Sequence, residues 1–212
     1  YMDVHYPFQP PKKHIEAIGQ EPLSPQRVAS LNDAMHEHPE SLTDEDIDDL
    51  KTLYAAELHY VDHNISRILD TLSDNGIRDE TMVVITADHG EAFGEHGRWG
   101  HHPYMYDELL RVPLLVDEPG REPGTVDTQV SLIDIFPTIC DACGINQPQE
   151  LQGENLFEKD SGVELATSNG GARLAARTPE WKCLWHVADN VVDLYNLDAD
   201  PGETKDVSEG NP

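Results

Sequence analysis

The chain has 212 residues, long enough to bury a substantial core as one domain or as one domain with an appendage. Its 41 acidic residues against 14 basic ones give a net charge of −27 spread along the whole chain, which excludes nucleic acid and anionic membrane as partners and points to a halophilic protein whose self-repulsion is screened by salt. Three cysteines, Cys140, Cys143 and Cys183, are an odd and sparse set that argues against a disulfide framework and suits a reducing compartment, so the expected location is cytoplasmic; the 212 residues hold no apolar run of membrane length.

From Lys12 to Pro39 the chain is polar, proline-bearing and weakly periodic, which predicts a lid or excursion more than a core element. A helix follows. Thr43 with Asp46 makes a capping-box start, Asp44 and Glu45 favour the positive helix end, and Asn75-Gly76 supplies the stop. Ile47, Leu50, Tyr54, Leu58, Val61, Ile65, Ile68 and Leu72 recur at three- and four-residue steps and predict one buried stripe, with Asp62 and His63 flanking it or exposed.

Met82 to Ala87 is a short, β-branched apolar run without alternation, the pattern of a strand buried on both faces of a parallel sheet. The chain then turns polar at Asp88-His89-Gly90, where such a strand would end and where open α/β sheets bind their ligands. Asp88 and His89 offer a carboxylate oxygen and an imidazole nitrogen to one divalent cation, with Gly90 letting the backbone turn. The plainer alternative has Asp88 capping a helix and His89 facing solvent. His96, His101 and His102 follow among Gly90, Gly94, Gly97 and Gly100, an unusual composition for a solvated connection, and they favour the metal reading. The spacing lacks the His-Glu-x-x-His pattern of helical zinc proteases.

Arg111 to Val116 reads as a second strand, so helix and strand alternate as in an α/β fold. After a turn-rich loop from Pro119 to Gly124, Thr128 or Ser131 can cap a helix that runs to Cys143 and ends at Gly144, with Pro137 tolerated near its start and Asp134 acting as a cap. Cys140 and Cys143 fall in its apolar pattern, where core packing is favoured over redox or zinc chemistry. Pro148 to Ser161 reads as a linker. Beyond it, Glu164 to Thr167, Ala172 to Thr178, Trp181 to Val187 and Val191 to Tyr195 read as strands of a small antiparallel appendage, turning at Asn169-Gly170-Gly171 and Asp189-Asn190. Asp198, Asp200 and Glu203 imitate part of a calcium loop, but Pro201-Gly202 between them mark a structural turn.

Asp88-His89-Gly90-Glu91, Gly94-Glu95-His96-Gly97, Trp99-Gly100-His101, Tyr106-Asp107-Glu108 and Arg111-Val112-Pro113-Leu114 resemble the sulfatase family of the alkaline phosphatase superfamily. Ser131 to Thr138, Gly153-Glu154-Asn155-Leu156 and Leu194 to Glu203 continue the resemblance in the family's order, so it covers most of the chain. It implies an alkaline-phosphatase-like three-layer α/β sandwich, with residues 1–155 as the C-terminal part of the core and 156–212 as the antiparallel subdomain. It also implies hydrolysis of sulfate esters of small molecules or carbohydrates with a bound divalent cation, usually Ca2+, with Mg2+, Mn2+ or Zn2+ as alternatives.

Carried over residue by residue, the resemblance makes Asp88 and His89 metal ligands. Many relatives have Asn at the second position, and His there recurs in phosphonate-ester hydrolases and in some sulfatases. Tyr1 to Pro11 resembles the family's Asp-x-His-x-Pro-Tyr/Phe segment, which places His5 on the sulfate. His101 stands where many relatives have Lys; it too would bind sulfate, and one of the two histidines would protonate the leaving alcohol. The family's nucleophile motif, Cys/Ser-x-Pro-x-Arg, does not occur in the 212 residues. The resemblance therefore implies that the nucleophile and the remaining metal aspartates lie upstream of Tyr1, and that residues 1–212 alone are inactive. The rival readings are a phosphoester or phosphonoester hydrolase or phosphotransferase of the same superfamily, and a truncated chain that at most binds metal.

Overall fold

The computed structural model describes residues 2–102, 104–159, 164–167 and 171–209, of which 164–167 are described as backbone. The chain divides into two compact units, residues 1–81 with 91–100, and residues 82–90 with 101–212.

The first unit is built on three helices, Lys12–Ala17 (α1), Pro25–Glu37 (α2) and Asp44–Asp74 (α3). The expected excursion from Lys12 to Pro39 is instead two helices whose Ile15, Leu31 and Met35 are core residues beside Phe8, Leu50, Leu53 and Ala56. Their apolar positions are sparse, and the buried Asn32 hides the pattern because it is satisfied by the backbone of Phe8, accepting its N–H at 2.7 Å and donating to its carbonyl at 2.9 Å. Ser24 caps α2 with Pro25 in its first turn, and Arg27 bonds Asp46 and Asp49 of α3, each at 2.6 Å.

Helix α3 starts and stops at the predicted signals. The Thr43 hydroxyl accepts the N–H of Asp46, the Asp46 carboxylate accepts the N–H of Thr43, and Gly76 takes φ +68° beyond the end. Asp62 and His63 are exposed, as expected. The buried face differs from the predicted stripe, comprising Leu50, Leu53, Ala56 and Glu57, while Leu58 and Ile68 remain 54% and 49% exposed. Periodicity finds the helix but not which of two neighbouring stripes the short helices cover. Two short strands, Ala92–Phe93 (β2) and Trp99–Gly100 (β3), pair antiparallel, and Phe93 stacks on Phe8 while Tyr54 meets both edge-on.

In the second unit Val83–Thr86 (β1) pairs with Leu114–Asp117 (β4), the latter reached through the four-residue helix Asp107–Leu110 (α4). The pairing is antiparallel, Val83 opposite Asp117 and Thr86 opposite Leu114, and β1 is only partly buried. The parallel, doubly buried strand expected from the sequence is therefore not what the described residues form. An apolar run reports the wish to be covered and not the direction of its neighbour. Ser131 and Asp134 form a capping box ahead of the helix Ile135–Ala142 (α5), which Gly144 follows at φ +64°. Cys140 is buried there and Cys143 exposed, both as free thiols.

Strands Glu164–Thr167 (β5), Arg173–Arg177 (β6), Trp181–His186 (β7) and Val191–Asn196 (β8) form an antiparallel meander in the order predicted. Asn190 takes φ +52° in the last turn, whereas Asn169-Gly170 in the first lies outside the described residues. Ala175, Leu184, Tyr195 and Leu197 pack with Met105 into a second core. No helix among the described residues is long and apolar enough to cross a membrane.

Candidate active site

Asp88, His89 and His101 all belong to the second unit, at the exit of β1. The turn is fixed by close backbone approach. Gly90 donates its N–H to the Leu109 carbonyl at 2.9 Å, and a Cβ at Gly90 would lie 2.0 Å from the Glu108 carbonyl oxygen, so only glycine fits between the strand end and α4. Helix α4 is held in turn by charge. The N–H of Asp107 donates to Glu203 at 2.6 Å, and the fully buried Lys182 donates to Asp107 at 2.8 Å and pairs with Glu203 at 2.6 Å. Arg177 completes the set on Asp107 at 2.9 Å. Burial would raise the Asp107 carboxyl, but Arg177 and Lys182 outweigh it and hold the group below its ordinary value. Glu203 is therefore a buried anchor within its turn, where its N–H donates to the Asp200 carbonyl at 3.1 Å.

The ring of His89 is oriented by its own turn. Its Nδ1 lies 2.8 Å from the Gly90 carbonyl, which can only accept, so Nδ1 carries the proton and Nε2 presents a lone pair. That Nε2 lies 4.0 Å from Asp88 Oδ1, whose side chain is 92% exposed, and the Asp88 carboxylate also accepts the His89 N–H at 3.2 Å. Two metal–donor bonds of about 2.0–2.4 Å span donor separations of up to roughly 4 Å with little adjustment, so the pair fits one edge of a divalent cation's shell. His101 stacks on His89, ring centroids 4.5 Å apart and planes 22° apart. The exposed His102 instead meets Tyr104 edge-on at 6.2 Å.

His5 belongs to the first unit, on the segment entering its core. Its Nδ1 lies 2.5 Å from the Tyr6 carbonyl, which again fixes a proton on Nδ1. This segment is bolted to α3 by a residue the sequence reading missed. Glu57, 2% exposed, accepts the Gln9 N–H at 2.6 Å, and the backbone N–H of His5 acts on the same carboxylate. Burial pushes the Glu57 carboxyl up to about 7, reinforced by Asp3 and only partly offset by the two N–H groups. An acid on the same helical face as Leu50, Leu53 and Ala56 was the available signal.

The family model described as Sulfatase matches residues 1–145. The chain belongs to the sulfatase family. Its curated relatives include the choline-sulfatase of Rhizobium meliloti (strain 1021), 30% identical over 81% of this chain and 35% of that protein. Arylsulfatase K of Xenopus laevis is 35% identical over 78% of this chain and 35% of its own length. This sulfatase-family chain thus spans about a third of the length of the curated relatives it matches. Among solved structures, a 2-O GAG sulfatase superposes with TM-score 0.72 at 24% identity over 85% of this chain and 42% of that one. A phosphonate monoester hydrolase from Silicibacter pomeroyi does so with TM-score 0.71 at 22% identity over 98% and 48%. Both likenesses establish the alkaline-phosphatase-like α/β fold anticipated from the sequence.

Proposed function

We propose that this chain supplies part of the active site of a metal-dependent sulfate-ester hydrolase acting on a small-molecule or carbohydrate sulfate. The supporting observation is the convergence of the Asp88 carboxylate, the His89 Nε2 lone pair and the stacked ring of His101 on one turn. Asp88 and His89 hold one edge of a divalent cation, Ca2+ as the family resemblance implies, with Mg2+, Mn2+ or Zn2+ also compatible with a carboxylate and an imidazole. When bound, the cation polarises the ester oxygens and lowers the pKa of the nucleophile. His101 and His5 each bind a sulfate oxygen through a ring N–H proton, His5 at Nε2 because its Nδ1–H faces the Tyr6 carbonyl. One of the two delivers that proton to the leaving alcohol oxygen.

Residues 1–212 contain no Cys/Ser-x-Pro-x-Arg sequence, so the nucleophile is proposed to come from outside them. Phosphoester or phosphonoester hydrolysis is the second reading, favoured by His89 itself, because the resemblance places His rather than Asn at this position in phosphonate-ester hydrolases as well as in some sulfatases. The experiment compares kcat/KM of the enzyme containing this chain for 4-nitrophenyl sulfate, 4-nitrophenyl phosphate and a phenyl phosphonate monoester. Preference for the sulfate by tenfold or more supports the first reading; preference for either phosphorus ester replaces it with the second.

A further inference from the structure

The first unit carries a second group of imidazoles that the ester chemistry does not use. His14 on α1 is 3% exposed, and its Nδ1 lies 2.8 Å from Nδ1 of His59 on α3. His63, one turn further along α3 and on the solvent side, has its ring centroid 5.6 Å from that of His14. Two facing Nδ1 atoms at 2.8 Å can share only one proton, so one of them always presents a lone pair to the other. Among the described residues, the buried Nε2 of His14 has no hydrogen-bond partner.

Lys13, His59 and His63 each act on His14 in the same direction as its burial. Burial, with those neighbours, lowers its pKa and keeps the ring neutral at ordinary pH. Tyr60, 5.0 Å away ring to ring, adds an apolar wall.

We propose that His14, His59 and His63 form a binding site for a late first-row divalent cation, Zn2+ in particular. A neutral nitrogen donor set selects Zn2+, Ni2+ or Cu2+ over Ca2+ and Mg2+. Zinc–nitrogen bonds of about 2.0–2.1 Å at a tetrahedral angle require nitrogens roughly 3.3 Å apart. The His14–His59 pair therefore opens by about half an ångström, and the ring that donated its Nδ1–H tautomerises so that this proton sits on its Nε2, leaving both Nδ1 lone pairs facing the metal and both imidazoles neutral. His63 is exposed and one helical turn from His59, the i, i+4 spacing that lets two histidines face one ion, and a rotation of its side chain supplies the third nitrogen. Water completes the shell on the open side. The site tethers α1 to α3 and is separate from Asp88 and His89, which lie in the other unit.

The test is a Co2+ and Zn2+ titration of the 212-residue chain at pH 7.5, read by the visible d–d absorption of tetrahedral Co2+ and by calorimetry. The expected result is one tetrahedral site whose Co2+ spectrum is bleached by Zn2+, with the Kd of that site weakened tenfold or more in both His59→Ala and His63→Ala and unchanged in His89→Ala. His63 is exposed, so its variant keeps the fold, and circular dichroism of each variant confirms that the helices persist. Absence of a tetrahedral Co2+ spectrum overturns the proposal, as does a spectrum retained in His63→Ala or lost in His89→Ala. Binding should also weaken as pH falls from 7.5 to 6, because the site must stay unprotonated.

Discussion

The imidazoles of His89 and His101 stack 4.5 Å apart, with their planes inclined by 22°. The stacking sets His101 beside the proposed metal edge, where a substrate oxygen that touches the cation can also touch His101. Lysine, which many relatives place here, keeps its charge to about pH 10, whereas an imidazole's ordinary value is about 6.5. His101→Lys should therefore move the alkaline limb of the kcat/KM profile of the enzyme containing this chain to higher pH. His101→Ala should cost roughly tenfold to a hundredfold, the range of a lost charge-assisted hydrogen bond. His102→Ala, at an exposed ring outside the stack, should change kcat/KM less than twofold. Equal losses at positions 101 and 102, or an unmoved alkaline limb, would assign the wrong histidine.

Lys182 is expected to be the most sensitive charged position for stability. Replacing it by Met leaves the buried Glu203 without its cation and Asp107 with Arg177 alone, a loss of about 3–5 kcal/mol. Adding Glu203→Gln should restore part of that loss by removing the stranded charge. Urea unfolding of the wild type and the two variants measures both effects; a wild-type midpoint in Lys182→Met would show that the network contributes nothing.

Glu57 makes stability fall as pH rises. Its folded value, about 7, lies above the 4.5 of an unburied Glu, so between those values the folded chain holds a proton that the unfolded chain has released. By linkage, stability declines through this window, in total on the order of 3 kcal/mol at about 1.4 kcal/mol per pH unit. Thermal melts from pH 5 to 8 should show that decline in the wild type and a flatter profile in Glu57→Gln, with the variant more stable at pH 8. A variant that is less stable at every pH and keeps the slope would assign the titration to another group.

The charge of −27 predicts a salt requirement. The screening length grows from ~3 Å in molar salt to ~10 Å at 0.1 M, which strengthens repulsion among carboxylates spread over the surface. The melting temperature should drop when NaCl is lowered from 2 M to 0.1 M. An unchanged value contradicts the halophilic reading.

What was legible in the sequence was local. Thr43 with Asp46 and Gly76 delimit α3, Ser131 with Asp134 opens the turn before α5, and alternating residues around Asn190 lay out the last hairpin, because each device works within a few residues of chain. What was not legible depends on partners far along it. Glu57 is buried because Gln9, 48 residues earlier, donates to it. Gly90 is required because the Glu108 carbonyl presses on it, and Asn32 is buried because Phe8 satisfies it. Asp88, His89 and His101 were readable as a set through the family motifs; the proton position on His89 needed the Gly90 carbonyl, which only the fold supplies.

The most direct test of the central assignment is 4-nitrophenyl sulfate hydrolysis by the enzyme containing this chain, measured after chelation and after return of Ca2+, in the wild type, Asp88→Asn and His89→Ala. The wild type should lose activity on chelation and regain it with Ca2+, each variant should fall at least a hundredfold and need more Ca2+ for what remains, and residues 1–212 alone should stay at background. Activity indifferent to chelation, or a His89→Ala enzyme with wild-type turnover and wild-type Ca2+ dependence, would contradict the assignment of Asp88 and His89 to the metal.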